Sequence, residues 1–214
     1  MMPFWYNKLK RFETYRDQVI LRLISEETVG RILDIGCGNG DFLINNASRF
    51  KEAWGVEISN KRVINARRRI KKKKLKNIFF KVLDVDNGLP FKKSYFDIVT
   101  IIASFGLFYD IFFVLEEIKR ILKRGGILII EESNLAFLPR RLALFFGLQP
   151  WTSTAVKGWD GGRLHYFTKK SLIDLLKKYG FKIEKVTGSG IFANLRNWWP
   201  SLLSGDLIIK ARKP

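Results

Sequence analysis

One cysteine, Cys37, stands in 214 residues, so an internal disulfide framework and a cysteine-rich zinc site are both excluded. That scarcity fits a reducing, intracellular setting, and the cytoplasm is the expected compartment. Met1 to Lys10 interleaves aromatics with charges and lacks the apolar core of a signal peptide, and no run of ~18 apolar residues occurs anywhere. Acids are also few: 20 Asp+Glu face 39 Lys+Arg, a formal net charge of +19. Such a field attracts polyanions without selecting a function. What is plentiful is apolar side chain, 47% of the chain, enough for one domain over residues 1–214 with a substantial core.

The basic excess is concentrated in Lys61 to Lys76, where Arg67-Arg68-Arg69 and Lys71-Lys72-Lys73-Lys74 form two blocks. A solvated helix face accounts for it; the competing reading is a weak electrostatic contact with RNA or an anionic membrane.

After an amphipathic N-terminal stretch (Trp5 to about Glu27), short β-rich apolar runs alternate with segments of helical period, the pattern of βαβ units on a parallel sheet. Strands are expected at Arg31–Ile35, Ala53–Glu57, Ile78–Val82, Phe96–Ile102, Ile127–Glu132, Phe181–Thr187 and Asp206–Ala211. Helices are expected at Asp41–Arg49, Asn60–Lys74, Phe112–Leu122 and Lys169–Tyr179, the last capped by Thr168 and Gly180. Residues 133–167 are too long for an ordinary connection and read as a lid or substrate insertion. Gly188, Gly190 and Pro200 break helical period before the final strand, so the last two strands are expected as antiparallel neighbours.

Arg31-Ile-Leu-Asp-Ile35 runs into Gly36-x-Gly38-x-Gly40 and then a helical pattern, where a doubly wound sheet binds a nucleotide-like ligand. The dinucleotide fingerprint G-x-G-x-x-G would need glycine at 41 or 43, where Asp41 and Leu43 stand, so a nicotinamide cofactor is disfavoured. Asp34 at the strand end points instead to a ligand with a cationic portion and no phosphate.

Asp34-x-Gly36-x-Gly38-x-Gly40 resembles the first motif of class I S-adenosylmethionine (SAM) dependent methyltransferases, of the type 11-like kind. Glu57, ending the second strand, stands where that family holds the ribose. Asp84, with Val85 beside it, stands where the family receives the adenine, and Asp86 is a rival two places on. Leu89-Pro-Phe91, Tyr95-Phe-Asp-Ile-Val99 and Leu122-Lys-Arg-Gly-Gly126 continue the likeness, with Arg124 in place of a usual proline. The resemblance implies a Rossmann-like, mostly parallel seven-stranded sheet of order 3-2-1-4-5-7-6 with an antiparallel last strand. It implies SAM as cofactor and S-adenosylhomocysteine as product. The cofactor set it implies is Asp34, Gly36, Cys37, Gly38, Gly40, Glu57, Ile58, Asp84, Val85 and Ala103, with no metal. The second half, through Trp159, His165 and Trp199-Pro-Ser-Leu202, more loosely resembles the branch named for the methionine-biosynthesis protein MetW.

Gly106-Leu107 stands where many members carry Glu-His, so no base transfers there. His165, the only histidine, is the candidate base for a hydroxyl acceptor, with Tyr109 and Asp110 weaker. The apolar segment Phe137 to Gly147, with Trp151 and Trp159 beyond it, suits a cover over the acceptor pocket or a membrane-surface contact. Arg140 and Arg141 suit a carboxylate or phosphate, against the alternative of solvated arginines. The leading function is an enzyme that methylates an oxygen, nitrogen or carbon of a small-molecule or lipid-like acceptor. Alternatives are an RNA methyltransferase, disfavoured by Ala103-Ser-Phe-Gly-Leu-Phe-Tyr109 in place of a base-clamping Asn/Asp-Pro-Pro run, and a non-catalytic SAM-binding partner of a biosynthetic enzyme.

Overall fold

The computed structural model describes residues 13–25, 30–149, 163–189 and 198–214. Trp5, Trp151, Trp159 and Gly190, on which the sequence expectations also draw, lie outside these residues. In chain order the elements are α1 (Glu13–Ser25), β1 (Arg31–Ile35), α2 (Asp41–Asn45), β2 (Glu52–Glu57), α3 (Asn60–Lys72), β3 (Ile78–Val82), β4 (Phe96–Ile102), α4 (Ile111–Ile121), β5 (Leu122–Ser133), α5 (Leu138–Phe145), α6 (Lys169–Lys178), β6 (Lys182–Ser189), α7 (Pro200–Leu203) and β7 (Asp206–Arg212). The strands form one sheet of order β3-β2-β1-β4-β5-β7-β6. The first five pair in parallel, and β7 runs antiparallel between β5 and β6.

The central strands are near-continuous apolar runs because both faces are covered. Leu33, Ile35, Val99, Ile101, Leu128 and Ile130 turn to one face and pack with Val114 and Ile118 of α4 and Leu172 and Leu176 of α6. Their neighbours Ile32, Ile98, Ile127 and Ile129 turn to the other, against Ile20 and Ile24 of α1, Leu43 of α2 and Val63 of α3. At about 1.5–3 kcal/mol for each fully buried aliphatic side chain, these two layers supply most of the gross stabilisation. Local signals agree: Ser59, Asp110 and Thr168 cap α3, α4 and α6 through side-chain oxygens.

Several boundaries differ from the sequence expectation, each for a local reason. The Asp41–Arg49 helix breaks after Asn45, where the Asn46 amide donates to the Phe42 carbonyl and a 3₁₀ turn follows over Ala47–Arg49. The expected Asn60–Lys74 helix stops at Lys72, with Lys74 at φ +54°. Strand β5 starts at Leu122, five residues early, and its Gly125-Gly126 turn exchanges backbone bonds with Lys213. The expected lid contains a helix, α5, that periodicity over so short a span does not announce.

Candidate functional site

At the carboxyl ends of β1 and β4 the chain order reverses direction across the sheet, the switch point at which doubly wound folds bind ligands. A cavity of about 320 Å³ opens there. Of the expected cofactor residues, Gly36, Glu57, Ile58, Asp84, Val85 and Ala103 line it, together with Ser104, Leu107 and Phe108.

The glycine loop is shaped by close approaches. Gly36 has φ +71°, and a Cβ there would stand 2.4 Å from Ser104 Oγ. Gly38 has φ +55° and faces open space that a side chain would fill, while its N–H donates to Glu57 Oε2 at 3.0 Å. Glu57 is buried, and its other oxygen accepts the Ser59 N–H at 3.0 Å. Arg62 stands 3.6 Å from Oε2. Each carboxylate oxygen has two lone-pair sites, so Glu57 fixes the loop and keeps acceptor capacity for two hydroxyls.

Asp84 and Asp86 both line the cavity and differ in their partners. Asp86 accepts the Tyr109 and Asp110 N–H groups at 3.0 and 2.9 Å, which ties the 3₁₀ turn Val85–Asn87 to the loop after β4. Asp84 caps its own turn through the Asp86 N–H at 3.1 Å and stays at the cavity wall, with Val85 packed beside it.

Asp34, Cys37 and Gly40 stand outside the cavity lining, whereas Ala103 is part of it. Asp34 is 2% exposed and accepts from Thr100 Oγ1 at 2.8 Å; burial pushes its carboxyl up to about 7, against the opposing pull of that bond. The partly buried Cys37 thiol packs against the α1–α2–α3 layer, where burial pushes its pKa up. Gly40 opens α2. Ala103 has φ +56°, a conformation costing a non-glycine residue of order 1 kcal/mol, and its N–H donates to the Glu131 carbonyl at 3.0 Å.

His165 lies outside the cavity lining, held by its N–H on the Gly106 carbonyl at 3.0 Å. Its Nε2 is 3.2 Å from the Tyr109 carbonyl. A carbonyl only accepts, so Nε2 is assigned the proton and Nδ1 the lone pair. Asp110 is spent on capping α4. Arg140 donates to the Asn134 and Gly205 carbonyls at 2.7 and 2.6 Å, and Arg141 to the Ala136 carbonyl at 2.6 Å. Both arginines therefore serve the backbone. In the basic run Arg67 holds the Phe80 carbonyl and Arg69 pairs with Asp41, while Lys71 to Lys74 are exposed. Among the described residues no cluster of acids, histidines or cysteine suits a metal ion, and no helix is long and apolar enough to cross a membrane.

Sequence reasoning missed a buried ion pair between Glu132 and Arg163. Glu132 is fully buried and also accepts the Gly106 and Ser133 N–H groups, each at 2.8 Å. Through Gly106 the pair fixes the loop after β4, and through Arg163 the chain returning toward α6. Two adjacent acids closing an apolar strand were the available signal, since a buried carboxylate demands a cation.

A doubly wound sheet with a glycine-rich turn, a strand-end carboxylate at each of two neighbouring strands and a cavity between them defines a nucleoside-cofactor class of α/β enzyme. Residues 27–164 match the methyltransferase domain family. The chain is 30% identical over 183 residues to a demethylmenaquinone methyltransferase of Thermotoga maritima, covering 77% of this chain and 75% of that one. It is 29% identical over 172 residues to a ubiquinone biosynthesis O-methyltransferase of Pelagibacter ubique, covering 79% and 68%. Its fold resembles the YcgJ protein of Bacillus subtilis with a TM-score of 0.72 at 16% identity, over 94% and 98% of the two chains. The chain belongs to the class I SAM-dependent methyltransferases, and it is an enzyme of that class.

Proposed function

We propose that this enzyme moves a methyl group from SAM to an oxygen, nitrogen or carbon atom of a small, apolar acceptor of the quinone-precursor kind. The observation that carries the reading is the likeness to the two relatives named for demethylmenaquinone and ubiquinone biosynthesis. The apolar side chains of Leu107 and Phe108 at the cavity support it.

The residues present fit the cofactor. Bound SAM would supply a methyl group on a sulfonium, a good leaving group. Glu57 would hold both ribose hydroxyls with the lone pairs its backbone partners leave, Asp84 would receive the adenine amino group and Val85 and Ile58 would flank the ring. The open space at Gly38 would receive the amino-acid end. Most of the catalysis then falls to positioning, because displacement at a sulfonium needs no general base when the acceptor is held in line. For a hydroxyl acceptor, His165 Nδ1 is the candidate proton acceptor. The described parts of the expected insertion, 133–149 and 163–167, would cover the acceptor and exclude water.

The test uses purified enzyme, labelled SAM and two acceptors, a demethylated naphthoquinol and a polyprenylated catechol. Label in the organic extract supports the reading. If neither accepts methyl while lysate RNA does, the acceptor assignment is wrong.

A further inference from the structure

Helix α5 is eight residues long and none of its side chains is buried. So short a helix is marginal in water unless an apolar face packs against something. Its base is fixed to the body by Arg140 and by Asn134, whose side chain donates to the Ser201 and Ser204 carbonyls at 3.1 and 2.9 Å. Its far end is bare: Phe145 is 82% exposed and Phe146 71%. Trp198, 82% exposed, precedes the turn that Asn134 clamps, so it belongs to the same end of the sheet. Leu107, Tyr109 and Leu164 are exposed as well, on the segments that the Leu135 to Phe167, Leu164 to Gly106 and His165 to Tyr109 bonds join to the base of this helix, and Leu107 lines the cavity.

We propose that this rim is a docking surface for an anionic lipid bilayer, with the cavity opening toward the lipid. Charge chooses the occupant. Arg140 and Arg141 bring two cations to residues 133–149 and 198–205, which hold no acid, while Arg163 is neutralised by Glu132 and Asp110 beside Tyr109 is the one exposed acid next to the described rim; the whole chain carries +19. A second copy of so basic a chain is repelled, whereas an anionic surface is attracted. Exposed Trp, Tyr, Phe and Leu beside arginine are the side chains that settle at a headgroup boundary, buried some ~5–10 Å deep. An apolar acceptor dissolved in the bilayer would then reach the cavity without crossing water; that consequence rests on the proposed acceptor class, and the docking itself does not.

The experiment is flotation of the full chain with vesicles of phosphatidylglycerol and phosphatidylcholine, against phosphatidylcholine alone, in ~0.15 M salt. The wild type floats with the anionic vesicles, and the double variant Phe145→Ser, Phe146→Ser loses partition by about tenfold or more. SAM affinity of the double variant, measured in parallel, stays at the wild-type value and certifies its fold. A quadruple Lys71→Ala to Lys74→Ala variant keeps most of the partition. The proposal is overturned if the wild type does not float, if the lysine variant loses binding while the phenylalanine variant keeps it, or if the phenylalanine pair controls self-association instead. Methyl transfer to a short-chain quinol in detergent reports the acceptor class separately, so either idea can fail alone.

Discussion

Replacing Glu57 by glutamine tests the cofactor site at its most constrained point. In the wild type each carboxylate oxygen accepts one backbone N–H, from Gly38 and Ser59, at 3.0 Å. A glutamine has a single acceptor oxygen, so one N–H must face an amide NH₂ and lose its partner. The charge that strengthens both ribose bonds is lost as well. A hydrogen bond to a charged group contributes about 1.5–3 kcal/mol. Losing one to ribose and weakening the other costs about 2–4 kcal/mol, roughly 30- to 1000-fold in Kd. Titration calorimetry with S-adenosylhomocysteine reads this directly, and a thermal melt should show only the modest loss of about 1–2 kcal/mol that one orphaned N–H brings. A folded variant whose Kd stays within about threefold of wild type would refute the ribose role, because no other residue at the end of β2 can replace a carboxylate there.

Arg163→Met strands the buried Glu132 carboxylate and should cost about 3–5 kcal/mol, a fall in Tm of roughly 10 °C; a shift below about 2 °C in a differential scan means the pair is not buried as described. Burial raises the carboxyl of Asp34 from 3.8 to about 7 and that of Glu131 from 4.5 to about 8, so each binds its proton more tightly in the fold. The unfolded chain releases those protons earlier, so their contribution is fully present below about pH 4 and is lost as pH rises through 7 and 8, at up to about 1.4 kcal/mol per pH unit per group. Asp34→Asn should flatten denaturant-measured stability between pH 5 and about pH 7 by about one proton's slope; an unchanged slope contradicts the burial account. Ala103→Gly relieves the left-handed backbone at the cavity wall and should leave stability within about 1 kcal/mol of wild type, whereas Ala103→Val should lower Tm clearly; equal melts for both would remove the strain argument.

What could be read in advance follows from what is local. The runs Arg31–Ile35 and Ile78–Val82 are apolar, short and bounded by turn residues, and both strands begin and end where expected. Thr168 capping α6 is equally local. The part played by Asp86 was not, because it depends on Asp86 meeting the backbone of Tyr109 and Asp110 across a gap no spacing encodes. The same holds for Arg163, whose partner Glu132 lies 31 residues away. Helix α5 escaped notice because Pro139 and paired arginines mask a period of only two turns. Residues around the glycine loop thus carry the family resemblance, while the acceptor side is built from long-range contacts and declares little.

The most direct test of the methyltransferase account is transfer of label from SAM into a whole-cell extract by the purified enzyme, followed by separation into RNA, protein, water-soluble and organic fractions. The account predicts label in the organic fraction, in a compound of quinone-precursor mass plus one methyl group. Label confined to RNA, or none in any fraction with SAM bound, would contradict it.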